Sequence, residues 1–198
     1  MSEAIFEGRI EDWEGTGRTR IFRIVPDVDP WNPREWDNLG HMVCWHSRYV
    51  LGDEQRRCGV HMWLEELAVG LDTAGVISYW YDRANETEWA KVRGDGCSNG
   101  DWYNYADQMR EKAIARIVER EVIMLPLFLF DHSGLAMSTS SGAFRAFDSA
   151  GWDWGQVGFI YVTRAEVLRE YGAKRLTRQL RERVEERLRG EVCTYNAY

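Results

Sequence analysis

The chain has 198 residues, 44% of them hydrophobic and 29% charged, the balance of a single soluble domain long enough to bury a core. Its formal net charge of −7 and pI near 5.2 disfavour a general grip on nucleic-acid phosphates, which needs massed lysine and arginine. The longest apolar run, Val122 to Phe130, is interrupted by Pro126 and falls short of a bilayer span. Cys44, Cys58, Cys97 and Cys193 form no C-x-x-C pair, and the N-terminus MSEAIFEGRIEDW lacks a basic-then-apolar leader. Both features point to a reduced, cytoplasmic protein.

Ile21 to Val28 reads as a strand, left through the turn-forming Asp29, Pro30, Asn32 and Pro33. A polar loop bearing Asp37, Asn38, Leu39 and Gly40 leads to a second strand, Met42 to Leu51. There Val43, Trp45, Tyr49 and Leu51 fall on one face for packing, and Met42, Cys44, His46 and Arg48 fall on the other for chemistry. Met62 to Leu71 has helical spacing, with Met62, Leu64, Leu67, Ala68 and Leu71 as its apolar positions. Residues 72 to 102 read as irregular and exposed, and 104 to 121 as a helix with Tyr105, Met109, Ala113, Ile114, Ile117 and Val118 buried.

Val122 to Phe130 is too uniformly apolar for a solvated strand, so it is placed centrally or under helices, with Pro126 at a bulge or an unpaired edge. The connection from 133 to 155 has no period, but its aromatic content points to function rather than disorder. Gln156 to Val162 is a further strand. Thr163 with Glu166 makes a capping box, and Thr177 opens a helix with the stripe Leu180, Val184 and Leu188. Lys174, Arg175, Arg178, Arg181, Arg183, Arg187 and Arg189 alternate with glutamates, as on a salt-bridged solvated face. The expected architecture is α+β: a mixed or antiparallel sheet of about four strands covered by three to four helices. Residues 1–198 form one domain with an inserted irregular and helical segment at about 55–121.

Cys44 and His46, with His41, His61 and His132, invite a zinc test, yet no H-E-x-x-H or C-x-x-C spacing supports it. The competing identity for Cys44 is a small buried hydrophobe, and for His46 a hydrogen-bonded core or loop residue. Asp131, His132 and Ser133 are consecutive, but strand neighbours point to opposite faces and cannot relay a proton among themselves. Asp37, Asp53, Asp148 and Asp153 match no calcium-loop spacing. Gly94 to Gly100 matches no phosphate-binding loop. Trp152 and Trp154 flank Asp153 just before Gln156. Flat rings beside a carboxylate and an amide suit stacking on a heterocycle while reading its edge. Trp154 is expected to plug the loop, and Trp152, Asp153 and Gln156 to face a ligand.

Three blocks, WDNLGHMVCWHSRYVLGDE at 36–54, LPLFLFDHSGLAMSTS at 125–140 and WDWGQVGFIYVTRAEVLREYGAKRLT at 152–177, resemble a family of uncharacterised proteins encoded by bacteriophages and mobile elements. The resemblance does not extend over 55–121, and the family sequences run on past a stretch like EVCTYNAY. It implies an accessory protein of the host-cell cytoplasm and carries no activity, membrane association or cofactor with it.

The leading expectation is a binding protein for a nucleotide-like small molecule or a host-defence protein. Its contacts are Asp37, Asn38, His46, Arg48, Asp131, His132, Trp152, Asp153 and Gln156, with Arg48 pairing an anionic group and Trp152 stacking. The rivals are a hydrolase using His46, Asp131 and His132, with or without metal, and a protein-interaction or acidic decoy protein. All ligand roles require the segments near 40, 131 and 153 to meet in space.

Overall fold

The structure, a computed structural model, describes residues 6–11, 19–25, 27, 29–80, 99–132 and 134–198. The first described elements are β1 (Phe6–Glu11) and β2 (Thr19–Ile24), which pair antiparallel as a two-stranded sheet. A 3-10 turn at Pro33–Glu35 leads to β3 (His41–Cys44) and β4 (Glu54–Gln55). Among the described residues there follow α1 (Val60–Leu71), α2 (Val76–Tyr79) and α3 (Asn99–Glu121). The chain then returns through β5 (Val122–Asp131), β6 (Leu135–Ser138) and β7 (Trp154–Thr163), and ends in α4 (Arg164–Glu170) and α5 (Arg178–Asn196). The main sheet has five strands in the order β4-β3-β7-β5-β6, antiparallel except for β3 with β4. The fold is mixed α+β, with one more strand in that sheet than the patterning indicated.

Strand pleating sorts the apolar residues to two faces. Met42, Cys44, Ile123, Leu127, Ile160 and Val162 share one face, and Val184, Leu188 and Val192 of α5 close over it with Val167 of α4. Both helices start where their side chains dictate. Thr163 accepts from the Glu166 amide while Glu166 reaches back to the Thr163 amide, and Thr177 accepts from the Leu180 amide. β6 pairs with Phe128 to Asp131, so among the described residues the outer edge of β5 has no strand partner at Pro126 and the missing N–H has no ladder bond to break.

On the opposite face Trp63 of α1 lies parallel to Phe159 at 5.7 Å and edge-on to Tyr161 at 5.4 Å. α1 to α3 fall in the 55–121 segment and bury a second cluster, Ala68, Ile77, Ala113, Ile114 and Ile117. Trp63 is the buried anchor of α1, whereas Met62, placed on the apolar stripe by spacing, is 57% exposed. Within the described part of the 72–102 stretch, α2 occupies Val76–Tyr79, α3 includes Asn99 to Trp102, and Trp102 is buried. Gly94 to Ser98 lie outside the described residues. None of the described helices is long and apolar enough to cross a membrane.

Two strand expectations change. The first strand runs Thr19–Ile24, with Pro26 and Val28 outside the described residues. The second stops at Cys44 instead of reaching Leu51, because the His46 Nδ1 accepts the backbone N–H groups of Arg48 at 3.2 Å and Tyr49 at 3.0 Å. A local turn thus takes the amides that a continuing ladder would use. The 133–155 connection contains β6, a four-residue strand hidden by its shortness.

Candidate functional site

Much of the 37–53 block is occupied in holding itself together. The Arg34 side chain, 4% exposed, donates Nε and Nη2 to the two Asp53 oxygens at 2.8 and 2.7 Å, Nη1 to Glu191 at 3.3 Å and Nη2 to the Gly40 carbonyl at 2.6 Å. Glu191 on α5 also accepts the Leu39 and Gly40 amides, and Asp53 accepts the Met42 amide. Burial alone would weaken the Arg34 charge, but the two carboxylates outweigh it and raise its pKa. A Cβ on Gly40 would come within 2.8 Å of Ile160 and 2.5 Å of Leu188. Asn38 joins this scaffold, its amide donating to the Pro33 and Trp36 carbonyls, while Asp37 is exposed beside it. Arg34 and Glu191 escape sequence inspection because their partners lie as far as 157 residues away.

Beyond this scaffold the distant segments meet. Arg48 donates from Nη1 to Asp131 at 3.0 Å, and the Tyr49 hydroxyl reaches the other Asp131 oxygen at 3.2 Å. His132 Nδ1 lies 2.9 Å from Asp153, and the Asp131 amide donates to the Asp153 carbonyl at 2.8 Å. The His46 ring stacks on Tyr49 at 5.0 Å. Five expected contacts, His46, Arg48, Asp131, His132 and Asp153, therefore share one polar patch where β5 ends and β7 begins. Asp131 and His132 each have their own partner, as residues on opposite faces must. Arg48 is 70% exposed, and among the described residues only its Nη1 is engaged.

The turn feeding β7 is organised by Asp148, which accepts the Asp153, Gly151 and Ala150 amides. Those bonds, the Asp153 amide foremost, hold its carboxyl below the usual range. Trp154 donates to the Asp148 carbonyl and packs edge-on to Phe128, the plug its position indicated. Trp152 is 85% exposed at the turn.

Gln156 owes its orientation to a bulge. Leu127 pairs with Gly158 but Phe128 with Gln156, so Val157 is an extra residue on β7. Strict alternation would put Gln156 on the core face with Ile160; after the bulge Val157 is buried and Gln156 exposed. The Val157 carbonyl accepts the Trp45 amide at 2.6 Å, carrying β3 one bond past its end. Gln156 then lines an open cleft of about 270 Å³ with Trp45, Val60, Val157, Gly158 and Phe159. Trp45, assigned by alternation to packing, is half-buried, edge-on to Trp63 and Phe159, and donates its indole N–H to the Cys58 carbonyl. Flat aromatic walls with one amide at the rim suit a planar heterocycle.

Cys44 and His46 do not present a shared face. Cys44 is fully buried, and burial, aided by Asp53, pushes its thiol up to about 12. His46 lies past the strand end with Nδ1 committed to two amides. Among the described residues no group of three or more His, Cys, Asp or Glu is arranged to hold a metal ion. No family model matches this chain, and no curated protein or solved structure does.

Proposed function

We propose that this protein is a binding protein for a small nucleotide-like molecule, with the heterocycle seated in the Trp45 cleft and Gln156 reading its hydrogen-bonding edge. The cleft carries this inference: an apolar aromatic hollow whose one exposed amide is put there by a bulge. Outside the cleft, the polar patch at the end of β5 carries Arg48, suited to an anionic group, and the His132–Asp153 pair. The phage or mobile-element origin, and with it a role in the host cytoplasm against host-defence components, rests on the three sequence blocks alone.

Titrating a panel of nucleosides and nucleotides while following tryptophan fluorescence tests this proposal. Saturable quenching weakened by Gln156→Ala supports it. Quenching by no member of the panel, or quenching indifferent to Gln156→Ala, refutes it. Hydrolysis is the second proposal, motivated by the 2.9 Å His132–Asp153 pair, which would orient the imidazole as a general base. Turnover lost in His132→Ala would establish it, and recovery of unchanged ligand would leave binding.

A further inference from the structure

We propose that the hollow where α3, α4 and α5 meet binds the phosphate group of a small phosphorylated molecule, at a site separate from the Trp45 cleft. The hollow measures about 420 Å³ and is lined by Arg120, Arg164, Leu176, Thr177, Arg178 and Arg181, with no carboxylate among them. The chain as a whole has more acidic than basic residues, 32 against 25, so four arginines around one concavity reflect placement and not composition.

The carboxylates nearby leave these arginines open. Glu121 lies 2.7 Å from Arg120 Nε and 3.7 Å from Arg164 Nη1, and Glu182 lies 2.8 Å from Arg178 Nε. The two short pairs both use Nε, so among the described residues the terminal nitrogens of Arg120 and Arg178 have no hydrogen-bond partner and can grip an oxyanion. Arg181 has no carboxylate partner among the described residues. Four guanidinium groups against two paired carboxylates give the rim of the hollow a net positive character, the complement of a phosphate, with Arg120 and Arg178 reaching it from solvent.

The start of α5 belongs to the same positive surface. A helix N-terminus carries partial positive charge, so acidic side chains stabilise a first turn and basic ones strain it. The first turn of this 19-residue helix has no acidic residue; it carries Arg178 and Arg181 and follows Lys174 and Arg175. Thr177 caps one amide, that of Leu180. A bound anion satisfies the remaining first-turn amides, the helix dipole and the open guanidinium groups together. The hollow is of small-molecule size, whereas a nucleic-acid strand needs a track of cations along its backbone.

Calorimetric titration of the full chain with pyrophosphate tests the proposal, because that probe has no heterocycle to enter the Trp45 cleft. The expected result is one saturable site that weakens as salt rises, loses about tenfold or more in affinity in Arg181→Ala and in Arg164→Ala, and is unchanged in the exposed control Arg145→Ala. Circular dichroism checks that each variant is folded, and Arg181→Gln serves if Arg181→Ala is not. Parallel arms with inorganic phosphate and a nucleoside triphosphate identify which phosphorylated species binds best, and competition of either with pyrophosphate supports the site. Absence of saturable pyrophosphate binding overturns the proposal, as does binding undiminished in both arginine variants. Tight binding of a single-stranded oligonucleotide without pyrophosphate binding also overturns it, assigning the surface to a nucleic-acid backbone.

Discussion

Replacing Arg34 by alanine should cripple the fold without touching any proposed ligand contact. The guanidinium makes four hydrogen bonds, two of them to Asp53, and its removal takes the guanidinium partner from an Asp53 side chain 31% exposed and leaves a Glu191 side chain 10% exposed to Arg187 at 3.6 Å and the Leu39 and Gly40 amides. Deleting one partner of a buried ion pair costs roughly 3–5 kcal/mol, mostly because the other charge stays desolvated. For a chain of this size each kcal/mol moves Tm by about 2–4 °C, so Arg34→Ala should melt about 6–20 °C below the parent. Arg34→Lys should fall between the two, since an ammonium keeps the charge but cannot span both Asp53 oxygens. Thermal and urea denaturation of Arg34→Ala, Glu191→Gln and the double variant measure the coupling directly, expected at about 1–3 kcal/mol. A Tm shift below about 2 °C for Arg34→Ala, or additive effects in the cycle, would refute the view that these charges tie the 34–53 segment to α5.

Gly158→Ala should be more damaging than Gly40→Ala, because a Cβ at 158 collides with the Val43 backbone carbonyl while one at 40 meets the movable ends of Leu188 and Ile160. Losses of about 3 kcal/mol or more against about 1–3 are expected in urea titrations, and a reversed order would be inconsistent with the close approach of β3 to the bulge. Glu166 is opposed by burial, but hydrogen bonds from Thr163 and His41 hold its carboxyl below the usual glutamate range. A depressed folded-state value means its contribution is present above the unfolded pKa and lost as pH falls through the folded one. Urea midpoints taken from neutral to acid pH should therefore decline less steeply in Glu166→Gln than in the parent, and parallel curves would remove this role. Cys44 is buried with its thiol raised to about 12 and should resist alkylation in the native protein at mildly alkaline pH, where the exposed Cys193 reacts. Peptide mass mapping decides this, and equal labelling of both would contradict the burial.

Features that depend on neighbours in sequence were legible, and those that depend on distant pairing were not. The Thr163–Glu166 box, the Thr177 cap and the Val184–Leu188 stripe are written within a few residues and recur in the structure. So are the apolar runs of β5 and β7, because burial on the sheet demands unbroken hydrophobicity. The alternation from Met42 to Leu51 pointed to a long strand, yet the His46 ring outcompeted the ladder for two amides. β6 is four residues long and acquires strand geometry only by pairing with β5. Likewise no local pattern announces that Val157 is the extra residue of a bulge, so the partnership of Gln156 with Trp45 was invisible. Residue types suggested that segments near 40, 131 and 153 meet, and of these the structure joins 48–49, 131–132 and 153, but the Arg34 hub, with partners 19 and 157 residues away, carried no comparable signal.

Binding at the Trp45 cleft is tested most directly by following the ten indole N–H signals and the Gln156 side-chain amide by nuclear magnetic resonance during titration with a nucleotide panel. The Trp45 and Gln156 signals should move together and saturate with one ligand, while that of the solvent-exposed Trp152 stays in place. A folded protein in which Trp45 and Gln156 remain fixed for every nucleotide, or in which Trp152 alone responds, would contradict the cleft as the binding site.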